Sequence, residues 1–556
     1  MFNVSFYPDQ KSVQVQAGTT ILEAARLAGV TIESPCNAVG TCGKCKVKVN
    51  KDSLANIVQK GEHHLSGEEE ELGFVLSCQA YLQGDVQVEL VRREKNKTLK
   101  ILNEGKSLAL ELASFISKEF SQEENQTRVY AEGNQLLTIE EGNTAAENYG
   151  VVVDIGTTTV VTSLVDINRG EELAVVSVLN PQSLHAQDVL SRIKFASEEA
   201  GLQEMYSSLI TELNRMIDTI SQEAGVKKEN IYEVIFSGNT CMLHLAAGVN
   251  PYSLGKYPYT PELSGGGHLK AAELGLQIAP SGIIYLPSII SAYVGADITS
   301  GVLAAQLHQQ KGTTLFVDIG TNGEMVIGVN GKLSATSTAA GPAFEGMNIT
   351  CGMRAGNGAI ELFNVEDNGD LTIETIGHNE ATGICGSGLL DIVGELVAHG
   401  VINKNGRFVD GENLLPTLRE RLIKQDGKMV FQLTNQVFLS QKDVRQVQLA
   451  KGAIRAGIEF LLKDQQIQAG GVDKVLIAGS FGYHLRAKSL INIGLLPEEF
   501  AGKIEFIGNT SKSGGQAFLL NHTYRTEMEE LIKEIGVLEL ANYQDFDRVF
   551  IDCLNF

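Results

Sequence analysis

The chain has 556 residues, of which 43% are hydrophobic and 20% charged, and this composition is typical of a folded protein with more than one domain. Its formal charge of −22 argues against a nucleic acid as partner, because phosphate backbones require a concentrated basic surface. No run of 18 or more apolar residues occurs, and no basic segment precedes an apolar one at the start. We therefore expect a cytoplasmic protein without a membrane span.

The first ninety residues have the pattern of a small β-rich domain. Strand-like segments occur at 2–7, 11–16, 46–49 and 85–91. Between the second and third of them, a helix is predicted to begin at Thr19 or Thr20, since threonine is a favourable N-cap. We predict that this first domain covers residues 1–93.

Four of the eight cysteines lie in this domain, with a spacing that indicates an iron–sulfur cluster. The pattern is Cys36-x5-Cys42-x2-Cys45-x32-Cys78. Thiolates suit the soft irons of a cluster, and glycines in the loop allow backbone amides to approach the sulfur atoms. A zinc site is the main alternative, although zinc sites usually contain two separated C-x2-C pairs, whereas three of these cysteines share one loop.

The remainder of the chain divides into a polar segment and a long α/β region. Residues 94–148 are highly charged, which predicts a linker with a small helical or mixed subdomain. Beyond them, apolar strands alternate with helices and Gly-rich turns. Asp154-Ile-Gly-Thr-Thr158 recurs as Asp318-Ile-Gly-Thr-Asn322, each time at the end of an apolar strand. The repeat predicts two duplicated lobes facing one another within residues 149–556.

Both copies of the repeat contain the residue types that hold a nucleotide. Glycine permits a tight turn close to phosphate, the following amides and hydroxyls donate hydrogen bonds to phosphate oxygens, and aspartate can orient a Mg²⁺-bound water. Two further Gly-rich turns, at 339–346 and 383–391, each precede an apolar helix. For these two turns, anion binding and simple close packing are equally good interpretations.

The cysteine pattern resembles that of the [2Fe–2S] ferredoxin domain with a β-grasp fold, and GTCGKC is its most specific part. The long region resembles the ATPase domain of the actin, sugar kinase and Hsp70 (ASKHA) superfamily. Five motifs of that superfamily occur in order, at 154–159, 291–301, 318–324, 476–482 and 508–515. The predicted fold is thus a β-grasp ferredoxin domain followed by a two-lobed actin-like ATPase domain, in an α/β and α+β multidomain chain.

The superfamily resemblance implies a set of site residues. The predicted nucleotide-binding residues are Gly156, Thr157, Thr158, Thr159, Gly320, Thr321, Asn322, Gly386, Ser387, Gly479, Ser480 and Phe481. Asp154 and Asp318 are the candidate catalytic carboxylates, whereas Asp297 is consistent with an ordinary helix cap.

The whole arrangement resembles the reductive activators of corrinoid proteins in anaerobic bacteria, as does the segment 180–193. This resemblance implies an ATP-hydrolysing enzyme that passes one electron from a [2Fe–2S] cluster to convert inactive Co(II) cobalamin to Co(I). The implied cofactors are the cluster, ATP and Mg²⁺. The implied partners are a corrinoid protein of a methyltransferase system, an electron donor such as a reduced ferredoxin or flavoprotein, and a second copy in a homodimer.

Three other interpretations remain open from the sequence. An activator like that of 2-hydroxyacyl-CoA dehydratase would share the ATPase fold but hold one [4Fe–4S] cluster between two subunits. A metabolite kinase fused to a redox domain would transfer phosphate to a small alcohol or carboxylate. A redox-sensing ATP-binding protein would bind nucleotide without turning it over.

Overall fold

The computed structural model describes two compact units. The described residues are 1–556 apart from 9, 31, 33–44, 62–64, 66, 91–110, 367–368, 410, 412, 426 and 480–484. One unit comprises Met1–Lys97 and Pro181–Phe195, and the other comprises Thr98–Asn180 and Ala196–Phe556. None of the helices in these described parts is long and apolar enough to span a lipid bilayer.

A mixed sheet with one main helix forms the first unit. Its strands are β1 (Phe2–Tyr7), β2 (Lys11–Val15), β3 (Lys46–Val49), β4 (Ile57–Gln59), β5 (Phe74–Leu76), β6 (Ala80–Leu82) and β7 (Val86–Leu90). Its helices are α1 (Ile21–Leu27), α2 (Gly67–Glu71) and α3 (Val189–Phe195). The five-stranded sheet has the order β2-β1-β7-β3-β5, in which β1 pairs parallel with β7 and antiparallel with β2. This mixed sheet confirms the predicted ferredoxin-like fold class.

Helix α1 begins where the sequence predicts a cap. The Thr20 hydroxyl accepts a hydrogen bond from the Glu23 amide at 3.1 Å, and the Glu23 carboxylate accepts one from the Thr20 amide at 2.8 Å. This capping box satisfies amide groups that the first helical turn cannot pair internally. In the same turn, the Leu22 amide donates to the Ser77 carbonyl at 3.0 Å, which joins the helix to the turn that carries Cys78.

The polar segment before residue 149 contains three strands in its described part. They are β8 (Ile116–Ser121), β9 (Gln126–Ala131) and β10 (Gln135–Glu141). The strands form an antiparallel sheet in the order β10-β9-β8. Ile116 and Val129 pack in one cluster with Tyr232, so this small sheet shares a core with another part of the second unit. The domain boundaries at residues 93 and 148 stay predictions.

Two large sheets form the rest of the second unit. The remaining strands are β11 (Tyr149–Ile155), β12 (Thr159–Asp166), β13 (Glu171–Leu179), β14 (Ile231–Gly238), β15 (Gly267–Lys270), β16 (Ile283–Leu286), β17 (Thr313–Ile319), β18 (Gly323–Val329), β19 (Lys332–Thr338), β20 (Ala359–Val365), β21 (Leu371–Thr375), β22 (Gly383–Ile384), β23 (Leu422–Gln425), β24 (Lys428–Gln432), β25 (Phe438–Ser440), β26 (Lys474–Ala478), β27 (Ile504–Gly508) and β28 (Gly536–Val537). The remaining helices are α4 (Glu199–Ala224), α5 (Thr240–Ala246), α6 (Ala296–Ala304), α7 (Gly386–Ala398), α8 (Pro416–Arg419), α9 (Gln441–Asp464), α10 (Ala487–Asn492), α11 (Thr510–Leu520), α12 (Thr523–Ile532) and α13 (Phe546–Asp552).

The two large sheets repeat one topology. Their orders are β13-β12-β11-β14-β16-β15 and β27-β26-β17-β18-β19-β28. Each sheet contains three consecutive antiparallel strands, β11–β13 in one and β17–β19 in the other. The first strand of each set also pairs parallel with a later strand, β11 with β14 and β17 with β26. The predicted two-lobed actin-like fold is therefore confirmed.

Helices α6 and α11 hold the lobes together. One buried cluster contains Val152 and Ile235 of the first sheet, Phe316 of the second, and side chains of both helices. The helices approach closely, since a Cβ added to Gly514 would lie 2.0 Å from the Ser300 carbonyl oxygen. Because burial of this apolar surface favours one arrangement of the helices, their amino ends are fixed beside the β11–β12 and β17–β18 turns.

Candidate functional site

Two of the four predicted cluster ligands lie side by side in the first unit. The sulfur atoms of Cys45 and Cys78 are 3.2 Å apart, and neither residue is in a disulfide. Both thiols are buried against Leu22 and Leu76. Cys36 and Cys42 lie outside the described residues. Two adjacent thiols in an apolar surround are close enough to bind one iron atom, so the described half of the set fits a [2Fe–2S] cluster.

A single cleft in the second unit brings the two repeats together. The β11–β12 turn contributes Gly156, Thr157, Thr158 and Thr159, and the β17–β18 turn contributes Gly320, Thr321 and Asn322. Gly386, Ser387 and Gly479 also line this cleft, whereas Ser480 and Phe481 lie outside the described residues. The hydroxyls of Thr158 and Thr321 share a hydrogen bond of 3.2 Å, so the two turns meet.

The β11–β12 turn is held tightly around Gly156. Its amide donates to the Thr159 carbonyl at 3.0 Å, and a Cβ at position 156 would lie 2.6 Å from that same oxygen. The Asn180 side chain donates to the Gly156 carbonyl at 2.8 Å, and the Asn180 amide donates to the Thr158 carbonyl at 2.9 Å. Only glycine fits this position, and the turn is preorganised for a ligand.

The first candidate catalytic carboxylate, Asp154, is fully engaged. One oxygen accepts a hydrogen bond from the Asn509 side-chain amide at 2.7 Å, and the other accepts one from the Ser511 hydroxyl at 2.7 Å. Burial raises the pKa of Asp154, while those two donors and the nearby Lys512 charge oppose the increase. Its orientation is thus fixed by the amino end of α11.

The second candidate, Asp318, has a different environment. No side-chain hydrogen bond to it occurs within the part of the chain that the structure describes. Burial, together with the charges of Asp297 and Asp154, raises the pKa of Asp318 to about 8. Burial likewise raises the pKa of Asp297 to about 7 and that of Glu324 well above its ordinary value. These four carboxylates line the same cleft, and a cation bound together with a ligand would offset the repulsion among them.

This arrangement is compatible with Mg²⁺ bound together with a nucleotide. Among the described residues, no three His, Cys, Asp or Glu side chains converge closely enough to ligate one ion. Magnesium usually keeps several waters and takes one or two carboxylates plus phosphate oxygens. The residues therefore fit an ion held mainly through water and phosphate.

Several cleft residues were not named individually among the predicted site residues, although four of them lie within the predicted motifs at 291–301, 318–324 and 508–515. They are Asn239, Asp297, Glu324, Glu345, Arg354, Asn509 and Ser511. Asp297, interpreted from sequence as a helix cap, does lie in the first turn of α6 but also faces the cleft. A second internal repeat indicates Asn239 and Asn509. The sequence Gly-Asn-Thr occurs twice, each time with its glycine as the last residue of a strand, β14 or β27. In each copy the asparagine side chain caps the next helix. Asn239 accepts a hydrogen bond from the Met242 amide at 3.0 Å, and Asn509 accepts one from the Lys512 amide at 2.9 Å.

A [2Fe–2S] ferredoxin domain and a two-lobed ASKHA domain in one chain define an iron–sulfur enzyme with an ATPase-like domain. Family models match the 2Fe-2S iron-sulfur cluster binding domain at residues 6–83, the RACo middle region at 149–310, and the C-terminal domain of RACo, the ASKHA domain, at 312–556.

Full-length relatives identify the family. The chain is 34% identical to the corrinoid activation enzyme RamQ of Eubacterium limosum, across 74% of this chain and 71% of that protein. It is 24% identical to the [Co(II) methylated amine-specific corrinoid protein] reductase of Methanosarcina barkeri, across 73% and 77% of the two chains. A solved reductive activator for corrinoid,iron-sulfur protein superposes with a TM-score of 0.75 at 30% identity, over 100% of this chain and 98% of that one. The chain belongs to this family of corrinoid activation enzymes.

Proposed function

We propose that this protein is an ATP-dependent reductive activator that returns an inactive Co(II) corrinoid protein to Co(I), using one electron from its [2Fe–2S] cluster. The observation that carries the proposal is the presence, in a member of this family, of both buried cluster thiols and a nucleotide cleft. The relatives' names specify corrinoid proteins as their targets, which supports the same class of partner here. When bound, the cluster supplies a one-electron donor.

In this proposal, the two repeated turns bind the nucleotide phosphates. Gly156–Thr159 and Gly320–Asn322 line one cleft, where hydroxyls and backbone amides of these turns can donate to phosphate oxygens. Gly386 and Ser387, at the amino end of α7, add helix amides that favour an anion. We assign Gly479, which lines the same cleft, to the adenosine contact. Ser480 and Phe481, which the sequence predicts for the same contact, lie outside the described residues.

We assign different roles to the two catalytic candidates. Asp154 has both oxygens occupied by Asn509 and Ser511, which suits a residue that orients Mg²⁺-bound water. Asp318 carries no such restraint among the described residues, so it is the better candidate to accept a proton from the attacking water. A bound cation would lower the pKa of Asp318 from about 8, so that the carboxylate is ionised at neutral pH and able to accept a proton.

ATP is required in this scheme because the Co(II)/Co(I) couple lies below ordinary ferredoxin potentials. A ligand shifts an equilibrium only by its differential affinity for two states. The protein would bind the Co(II) form tightly, and ATP hydrolysis would release the complex after the electron has passed. A reduced ferredoxin or flavoprotein would reload the cluster, and the active form would be a homodimer.

An anaerobic assay tests this function. The reduced protein is mixed with a Co(II) corrinoid protein, and the Co(I) absorption band is followed with and without Mg-ATP. We expect repeated formation of Co(I), beyond one electron per cluster, only with ATP, and Asp318→Ala should abolish it. Repeated Co(I) formation at the same rate without nucleotide would refute ATP dependence. Sustained turnover with a non-hydrolysable ATP analogue would refute the hydrolysis step.

A further inference from the structure

Arg354 is the only cationic side chain among the described residues that line the nucleotide cleft. The carboxylates that line the same cleft are Asp154, Asp297, Asp318, Glu324 and Glu345. Mg-ATP carries net negative charge, and those of the five carboxylates that are ionised repel it at short range in a partly buried site. A positive side chain that faces the phosphates would offset part of this repulsion.

The Arg354 guanidinium has no competing structural role. Within the described parts of the chain, no ion pair or side-chain hydrogen bond involves it, and its Nε atom is buried without a partner. An arginine side chain carries five N–H donors in a planar fork that matches phosphate oxygens. Burying such a donor without a partner is costly, so a bound ligand is a better explanation than packing.

The backbone around Arg354 is held rigidly on two sides. The Met353 amide donates to the Ile384 carbonyl at 2.8 Å, next to the start of α7, and the Thr350 amide donates to the Asp443 carboxylate of α9 at 2.7 Å. The turn is also close-packed, since a Cβ at Gly352 would lie 2.0 Å from the Gly346 carbonyl oxygen. Arg354 therefore projects from a fixed support, which reduces the entropic cost of binding a ligand.

The position beside α7 indicates which part of the nucleotide Arg354 meets. Helix α7 has 13 residues, and Gly386 and Ser387 at its amino end line the cleft. The first amides of a helix and its dipole favour an anion. A guanidinium and a helix amino end that converge on one cleft wall both select phosphate over a neutral base.

We propose that Arg354 is a phosphate-binding residue of the nucleotide site, which sets the preference for ADP and ATP over adenosine. This inference rests on the proposed nucleotide function. It adds a residue outside the two repeated turns, and it assigns that residue to the phosphates and not to the base.

Calorimetric titration of the full-length protein with adenosine, AMP, ADP and ATP in the presence of Mg²⁺ tests the assignment. We compare the unmodified protein with Arg354→Gln, Arg354→Lys and the exposed control Arg419→Gln on the same lobe. We expect Arg354→Gln to lose about 10- to 100-fold in ATP and ADP affinity, typical of a lost charge-assisted hydrogen bond, with unchanged adenosine affinity. Arg354→Lys should lose less, and Arg419→Gln should match the unmodified protein.

Two results would overturn the assignment. Unchanged ATP affinity in Arg354→Gln would mean that the side chain does not touch the ligand, and an equal loss for adenosine and ATP would indicate a base or structural contact. If Arg354→Gln does not fold in a thermal unfolding scan, the same comparison on Arg354→Lys decides between phosphate-restricted and uniform loss. An unmodified protein that binds no ATP would refute the proposed function as well, whereas intact ATP binding by both variants refutes only the role of Arg354.

Discussion

At the scale of single residues, the nucleotide cleft is an assembly of carboxylates that the fold keeps in unequal environments. Asp154 is compensated by two hydrogen bonds, while Asp318 is buried without comparable donors in the described structure. Burial penalises an ionised carboxylate, and the penalty is offset only where donors or cations are supplied. A cation bound with a nucleotide would therefore favour the ionised form of Asp318.

The raised pKa of Asp318 predicts a pH-dependent effect of Asp318→Asn on the free energy of unfolding. The pKa of Asp318 is about 8 in the folded chain and near 4 when unfolded, so folding takes up a proton between these values. Stability of the unmodified protein therefore falls as pH rises from about 4 to about 8, and asparagine removes this contribution. In thermal unfolding without nucleotide or Mg²⁺, the Tm of Asp318→Asn relative to that of the unmodified protein should rise by a few degrees as the pH is raised from 5 to 8.5.

The exposed substitution Glu534→Gln provides a control for the loss of one negative charge, and its Tm should follow the unmodified protein across this range. Parallel Tm profiles for Asp318→Asn and the unmodified protein would contradict the prediction. So would a relative gain that is largest at the acidic end.

The hydrogen bonds to Asp154 predict a second effect. Ser511→Ala removes the donor to one carboxylate oxygen, which should raise the pKa of Asp154 and loosen its orientation. We expect roughly a tenfold lower ATPase rate, about 1.4 kcal/mol in the barrier, and an activity profile displaced to higher pH. Ser513→Ala is the control, because among the described residues the Ser513 hydroxyl donates to the Asn509 backbone carbonyl at 3.3 Å and not to Asp154. An unchanged pH profile in Ser511→Ala would show that this hydrogen bond does not set the protonation of Asp154.

At the scale of elements, the contact between α6 and α11 decides whether the two lobes present one site. Asp297 lies in the first turn of α6, and Asn509 and Ser511 lie at the start of α11. The glycine at 514 allows these helices to approach backbone to backbone. A displaced helix would move the residues that orient Asp154, so packing far from the ligand controls the site.

Gly514→Ala should therefore be destabilising. The added Cβ would lie 2.0 Å from the Ser300 carbonyl oxygen, and the helices must separate to accept it. Overpacking of this kind typically costs about 1–3 kcal/mol. Chemical unfolding should show this loss, and ATP affinity should fall in the fraction that remains folded. Gly470→Ala, where no heavy atom lies within 4 Å of the added Cβ, should have little effect. Equal stability of the two variants would contradict this account of the helix contact.

At the scale of the whole molecule, the two described cluster cysteines and the proposed nucleotide cleft lie in separate compact units. Cys45 and Cys78 belong to the first unit, and all described residues of the nucleotide cleft belong to the second. A substitution at the cluster should therefore affect electron transfer without altering the nucleotide cleft itself.

Cys78→Ser tests this separation. We expect loss or alteration of the visible absorption and EPR signals of the cluster and no formation of Co(I), while the affinity for Mg-ATP stays within about twofold of the unmodified protein. Cys241→Ser, at a buried cysteine outside the cluster motif, is the control and should retain the cluster signals. An unchanged EPR spectrum in Cys78→Ser would remove Cys78 from the ligand set.

The sequence by itself determined the fold class and the family, because both depend on local patterns. The cysteine spacing, the buried strands before Asp154 and Asp318, and the capping threonine of α1 each specify structure through neighbours in the chain. The residue types of the phosphate turns also follow from local backbone requirements, as Gly156 illustrates.

Only the tertiary structure decided which distant side chains join these turns. Asp154 meets Asn509 and Ser511 across some 355 positions of chain, and Asp318 and Asp297 share a buried space that no spacing rule describes. Arg354 likewise reaches the cleft because its turn is fastened to β22 and α9. Such long-range contacts result from the packing of helices and sheets, and the resulting burial raises the pKa values of the carboxylates.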